Sequence, residues 1–394
     1  MSLDKGDNMI YFDNSATTKT LESSAEIMKN VLVDQYFNPA SASKKGLETS
    51  ELIRNSAKSI ANVINCDYEE IYFTSGGTEG DNWAIFGTAK GYARSGKHII
   101  TTKTEHPAVL EPLKILESEG FEVSYLSVDE KGYINIDELE SLIRKDTILV
   151  SIIFSNNETG TVQDMERIGS VIKSKNPETI FHTDAVQSFG KCLIDVKKMK
   201  IDILTASGHK FNAPKGTGFN YMKKGLKVKP LVYGGGQQRG QRSGTENPAM
   251  AMALADAVVN AYENLENSNN SVMQVKEALW YGIVENIPDV KINGEEIGNS
   301  NPYVLNVGFK NIRSEVLLHA LEEKDIYVSA GSACDSRKKS LSNVLLAMGV
   351  TEDFIEGSIR FSFSRFNTVS EALKCVEALC SIVPMLRRVQ MMRR

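Results

Sequence analysis

The sequence predicts an α/β fold with a mostly parallel sheet, joined to a smaller α+β domain. Short apolar runs rich in β-branched and aromatic residues recur through its first half. They are Ile71-Tyr72-Phe73-Thr74, His98-Ile99-Ile100-Thr101, Val123-Ser124-Tyr125-Leu126, Thr147 to Phe154, Ile180-Phe181-His182 and Ile201 to Leu204. Amphipathic stretches of helical length separate them, among them Pro107 to Ser118, Ile136 to Arg144 and Met165 to Lys175. Runs apolar on both faces, alternating with helices, suit strands buried between two helical layers. Past Pro248 the texture changes. A helical stretch, Pro248 to Leu265, leads into the polar run Glu266-Asn267-Ser268-Asn269-Asn270, which reads as a break. A second helical stretch, two short strand-like runs (Val304 to Phe309 and Ile326 to Ser329) and two further helices follow. The expected division is a large domain over 16–262 and a smaller one formed by 1–15 and 263–394. The end of the chain, Leu386 to Arg394, reads as a frayed basic helix end.

Composition narrows the function. A length of 394 residues suits two domains of unequal size. Apolar residues make up 41% and charged residues 24%, which is ordinary for a globular protein. The formal charge of −5 offers no global attraction to nucleic acid or an anionic membrane, so neither is an expected partner. No apolar run approaches the roughly 20 residues of a membrane span, and no signal-peptide pattern opens the chain. The five cysteines (Cys66, Cys192, Cys334, Cys375 and Cys380) show neither a disulfide framework nor metal-ligand spacing. The expectation is a cytoplasmic protein without a metal site.

The chemistry gathers at strand ends. Ser207-Gly208-His209-Lys210 follows the run Ile201 to Leu204. A lysine there sits where open α/β sheets place ligands. Asp184 ends another run, in Phe181-His182-Thr183-Asp184-Ala185-Val186-Gln187. A carboxylate there could keep a pyridine nitrogen protonated, although capping a helix would also explain it. Phe73-Thr74-Ser75-Gly76-Gly77-Thr78-Glu79-Gly80 joins a strand to the helical stretch Asp81 to Tyr92. Its glycines and helix start suit a single phosphate, and it matches neither the nucleotide P-loop nor the dinucleotide fingerprint. His106, in Thr104-Glu105-His106-Pro107, and Asn157, in Asn156-Asn157-Glu158-Thr159-Gly160, stand at two more strand ends. An imidazole in that place could stack on an aromatic cofactor or move a proton.

With these residues in view, the sequence resembles the class V aminotransferase family of fold-type I pyridoxal-phosphate (PLP) enzymes. Within that family it resembles the NifS/IscS-type (group I) cysteine desulfurases, from Tyr11-Phe12-Asp13-Asn14-Ser15-Ala16-Thr17-Thr18 to Arg360-Phe361-Ser362. The resemblance implies a seven-stranded, mostly parallel sheet between helices. It makes Lys210 the lysine that carries PLP, Asp184 the partner of the pyridine nitrogen and His106 the ring-stacking residue. Asn157 and Gln187 would contact the ring and its phenolic oxygen; Gly77, Thr78, Ser207 and His209 would hold the phosphate. Thr245, in Arg242-Ser243-Gly244-Thr245, would reach the phosphate of a second subunit, implying a homodimer with shared sites.

Other residues choose the reaction. Cys334 lies in Ser329-Ala330-Gly331-Ser332-Ala333-Cys334-Asp335-Ser336, a polar, small-residue stretch. This resembles the Gly-Ser-Ala-Cys loop that carries the desulfurase catalytic cysteine. Arg360, in Gly357-Ser358-Ile359-Arg360, would clamp a substrate carboxylate, because its forked donors match two oxygens. The implied reaction takes sulfur from L-cysteine, leaves L-alanine and holds a persulfide on Cys334. An acceptor protein for iron–sulfur cluster assembly or tRNA thiolation would receive it. Lys210 and His106 would move protons. Two features depart from the family pattern. Ser43 occupies a place usually held by histidine, and Arg337-Lys338-Lys339 replaces the usual run after the cysteine. A related class V lyase or transaminase, such as a selenocysteine lyase, is the alternative.

Overall fold

The computed structural model describes residues 9–330 and 341–391. Strand β1 (Ile10–Tyr11) belongs to the smaller part of the molecule. The central sheet comprises β2 (Ile71–Thr74), β3 (His98–Thr102), β4 (Glu122–Leu126), β5 (Thr147–Ser151), β6 (Ile180–Asp184), β7 (Ile203–Ser207) and β8 (Gly218–Met222). Their spatial order is β2-β8-β7-β6-β5-β3-β4. Strand β8 runs antiparallel to both its neighbours, and every other pairing in this sheet is parallel. Six strands therefore point the same way, and their carboxyl ends share one edge. The expected mostly parallel sheet is present.

Alternation along each strand explains how it is covered. Ile99, Leu149, Ile180 and Ile203 pack with Trp83, Val109, Leu113 and Leu116 on one face. Ile100, Val150, Phe181 and Leu204, one residue further on, pack with Ile60, Ile64, Ile168, Ile172, Leu254 and Val258 on the other. Consecutive side chains leave a strand on opposite faces, so a two-sided core requires these uninterrupted apolar runs.

The second core has its own sheet, of order β12-β13-β10-β9, built from β9 (Val290–Ile292), β10 (Val304–Phe309), β12 (Ser329–Ala330) and β13 (Ser358–Ser362). Beside it, β1 pairs in parallel with β11 (Ile326–Tyr327). Ile10 and Phe12 join Val272, Val275, Leu279 and Ile283 of helix Leu265–Asn286, and Leu379 and Val383 of helix Val369–Met391, in this core.

Four local expectations change. Strand β8 was not anticipated. The run Ile326 to Ser329 is split, with β11 pairing β1 and β12 pairing β13. The polar run Glu266 to Asn270 is no break but lies inside helix Leu265–Asn286. Leu265 and Val272 are buried seven residues apart, two turns along one face, so the residues between them can turn outward. The basic helix end is anchored too: Arg387 donates to the carbonyls of Pro288, Asp289 and Lys310 at 2.8 to 3.1 Å.

A buried polar layer lies near the carboxyl ends of the strands. His182 on β6 bonds Ser151 Oγ at 2.8 Å and Thr205 Oγ1 at 3.2 Å, and burial pushes its pKa down to about 3, so the ring is neutral. Glu105 Oε1 accepts from Thr102 Oγ1 and the Ile153 N–H, both at 2.9 Å. Its pKa is pushed up to about 8 by burial. The folded protein therefore keeps a proton on Glu105 that the unfolded chain releases near pH 4.5. Stability from this group is highest below the unfolded value and falls as pH rises towards the folded one. Glu105→Gln keeps the acceptor and removes the titration. Urea denaturation at pH 5 and pH 8 should show the variant gaining on wild type at the higher pH.

Candidate active site

Five of the six strands that point towards the shared edge, all but β4, deliver a part of the site. After β2, the chain turns through Gly76, at φ 150°, into helix Gly77–Tyr92. A Cβ on Gly77 would stand 2.8 Å from Val186 Cγ2, so the turn lies against the segment that follows β6. Ser207, buried at the end of β7, is the next neighbour of that turn. The first N–H groups of a helix have no partner within it, and its dipole favours an anion there. Thr78, in the first turn, is exposed.

Lys210 ends the short 3-10 turn Gly208–Lys210 after β7. Its Nζ donates to the carbonyls of Ser15 and Ala16, the latter at 2.9 Å. The same N-terminal segment clasps the turn. The Thr18 N–H and hydroxyl both donate to the His209 carbonyl at 2.9 Å, and His209 Nδ1 lies 3.2 Å from Thr17 Oγ1. Burial, with Lys210 beside it, pushes the His209 pKa down to about 4, so this imidazole is neutral.

Asp184 is buried at the end of β6, where its Oδ1 accepts from the Val186 N–H at 2.8 Å. It does cap the backbone, but that accounts for one oxygen only. Burial raises its pKa, while His106 and Lys210 oppose the rise through their charge. The three groups thus act on one another from the ends of β6, β3 and β7. His106 is the N-cap of helix Pro107–Ser118, and its Nδ1 accepts from the Ala108 N–H at 3.0 Å. That bond places the proton of the neutral ring on Nε2. Burial, reinforced by Lys210, holds its pKa below the ordinary value, so the neutral form dominates.

Gln187 is buried, with Nε2 donating to the Ser15 carbonyl at 3.0 Å and Oε1 accepting from Lys191 Nζ at 3.0 Å. Asn157 is half-buried, and its carbonyl accepts from Arg360 Nη1 at 3.1 Å. Arg360, buried on β13, also pairs with Asp13 through Nη2 at 3.0 Å, while its Nε has no partner among the described residues. Thr245 is exposed and lines a hollow of about 160 Å³ with Thr74, Ser75 and Arg242. Ser43 has a local task as N-cap of helix Lys44–Ile64, accepting from the Gly46 N–H at 3.1 Å. Cys334 and Arg337-Lys338-Lys339 lie outside the described residues.

Some groups were not singled out in the sequence: Asp13, the carbonyls of Ser15 and Ala16, Lys191, and the layer of Asp81, Glu105 and His182. An anionic, aromatic cofactor fits what is present. The turn has no room for a Cβ at Gly77, a helix start faces the same place, and a buried carboxyl lies near a lysine and a neutral imidazole.

Known proteins resemble this chain along nearly its whole length. The family model described as Aminotransferase class-V matches residues 10–374. A cysteine desulfurase IscS of Methanosarcina thermophila is 43% identical over 96% of this chain and 93% of its own length. One from Clostridium botulinum is 40% identical over 96% of both. A solved NifS-like protein superposes with a TM-score of 0.90 at 37% identity, covering 96% of this chain and all (100%) of its own. The chain belongs to the class V aminotransferase family of fold-type I PLP enzymes, among its NifS/IscS-type cysteine desulfurases.

Proposed function

We propose that this protein is a PLP-dependent cysteine desulfurase that takes sulfur from L-cysteine, releases L-alanine and holds the sulfur as a persulfide on Cys334. The observation that carries this reading is the meeting of Lys210, Asp184 and His106 beside the Gly76–Gly77 turn. Relatives called cysteine desulfurase match nearly the whole chain, and a structural neighbour at 33% identity, SspA, was solved in complex with cysteine.

Bound PLP would supply an electron sink for the substrate α-carbon. Lys210 would hold it, Asp184 would face its ring nitrogen and His106 its ring face. Asn157 and Gln187 would contact ring substituents, and Gly77, Thr78, Ser207 and His209 the phosphate. Arg360, already steadied by Asp13 and the Asn157 carbonyl, would orient the substrate through its carboxylate. Lys210 Nζ, drawn from the Ser15 and Ala16 carbonyls, would take the α-proton. His106 offers a proton at Nε2. The Cys334 thiolate attacks the substrate sulfur. An S–S bond forms as the Cβ–S bond breaks, the electron pair stays with the carbon skeleton, and protonation there yields alanine.

The two separate cores support a cofactor-holding domain over 16–262 and a smaller one from 1–15 with 263–394. A homodimer sharing its sites is supported by the exposed Thr245 and by Tyr233, 71% exposed on the preceding segment. A sulfur-acceptor protein, serving iron–sulfur cluster assembly or tRNA thiolation, completes the turnover. Among the described residues no helix is long and apolar enough to cross a membrane.

Purified protein with PLP should absorb in the visible and form alanine and, with a reductant, sulfide from cysteine. Lys210→Ala should lose the absorbance of the bound form and the activity while keeping its circular dichroism. Cys334→Ala should lose sulfide release; intact release would refute the persulfide step, and transamination of other amino acids by a wild type inert to cysteine would refute the desulfurase. Arg360→Lys, which gives up the forked donor, should raise KM for cysteine about tenfold or more, with a smaller effect on kcat.

A further inference from the structure

Lys191 is a buried cation that the reaction above does not use. It is 6% exposed and, among the described residues, forms no ion pair with a carboxylate. Its Nζ donates to Gln187 Oε1 at 3.0 Å and stands 5.4 Å from the centre of the Tyr303 ring. An unpaired ammonium in such a place is unfavourable, and an apolar side chain would serve packing better. Burial, and then the like charge of Lys210, push its pKa down to about 7, with Cys192 opposing and Arg360 adding a lesser like charge. A group so disfavoured by its surroundings calls for a reason beyond packing.

The reason lies in the hydrogen bonds. A carboxamide has a donor end and an acceptor end, and an ammonium has donors only. With Lys191 on Oε1, Gln187 must present Nε2 to its other neighbour, the Ser15 carbonyl, at 3.0 Å. That carbonyl also receives Lys210 Nζ. Ser15 is itself held by its N–H, which donates to Ser362 Oγ at 2.8 Å. Three consecutive bonds therefore run from Lys191 through Gln187 and Ser15 to Lys210.

We propose that Lys191 is a positioning residue: its donor fixes the orientation of the Gln187 carboxamide, and through the shared Ser15 carbonyl it fixes the resting place of Lys210 Nζ. Loss of its proton would turn a donor-only ammonium into an amine with a lone pair, so the enforced orientation relaxes as pH rises. The ionisable groups around it are Lys210, Arg360, Cys192, His209, Tyr303 and Arg365. The inference rests on Lys210 as the cofactor lysine.

The test uses the full-length holoenzyme with PLP as the probe. Lys191→Met conserves volume and removes the donor; Lys191→Arg keeps one. Three quantities are read: the rate of PLP release, the pH midpoint of the visible absorbance, and the melting temperature of the apoprotein. Lys191→Met should release PLP about tenfold faster and displace the absorbance midpoint, as expected for a lost charged donor. Its apoprotein should melt at or above the wild-type temperature. Lys191→Arg should recover most of both cofactor readouts. Wild-type release and midpoint in Lys191→Met would overturn the proposal, as would a Lys191→Arg no closer to wild type than Lys191→Met. If Lys191→Met fails to fold, Lys191→Leu, which likewise has no donor, decides on the same two cofactor readouts. Absence of PLP absorbance in wild type would overturn the reading of Lys210 beneath it, and this proposal with it.

Discussion

A carboxyl group buried at the end of a strand is the constraint on which the site depends. Asp184 lies out of water, and burial works against its charge. His106, the Val186 N–H and Lys210 counter that pressure, and they come from three different connections. They reach one carboxyl only because β3, β6 and β7 run in the same direction and end at the same edge. Topology and electrostatics are thus one requirement. Reversing β3 or β7 would take His106 or Lys210 away from this carboxyl and leave burial less opposed.

Two more buried carboxyls share the neighbourhood, and their state follows from the first. Burial raises the pKa of Asp81 and of Glu105, and the charge of Asp184 raises both further. Three carboxyls so close cannot all ionise without counter-charge, and the Lys210 cation acts on Asp184. Burial and the neighbouring Asp184 together favour the protonated form of this pair. His182, held neutral between Ser151 and Thr205, adds no cation to this layer.

Much of the fold and part of the site could be read from the sequence. Apolar runs two-sided enough for a parallel sheet identified its parallel members. Strand β8, Gly-Phe-Asn-Tyr-Met, did not stand out, since its Asn220 is buried against the Gly80 carbonyl and breaks the apolar pattern. Lys210, Asp184 and His106 were visible because each stands at a strand end or within four residues after one. Ser15, Asp13 and Lys191 were not, because their meaning lies in contacts made far along the chain. The Ser15 carbonyl meets a lysine 195 residues away, and Asp13 meets an arginine 347 residues away. No local pattern marks such pairs.

Those long-range contacts explain why the N-terminal segment belongs to the site rather than to its periphery. Residues 10–12 pack in the second core, with Phe12 fully buried against Phe363. Asn14 is tied to β13 through the Ser362 carbonyl. From Ser15 to Thr18 the chain turns to the first core, where it holds Lys210, Gln187 and the His209 carbonyl. Arg360 makes the same crossing in the other direction, from β13 to the Asn157 carbonyl after β5. Arg360 and Lys210, proposed to face the substrate carboxylate and α-carbon, are therefore referred to one short segment, residues 13–18, which touches both. That segment ties the two groups together, so under the proposed roles its backbone bonds would help the site tell the two ends of an amino acid apart.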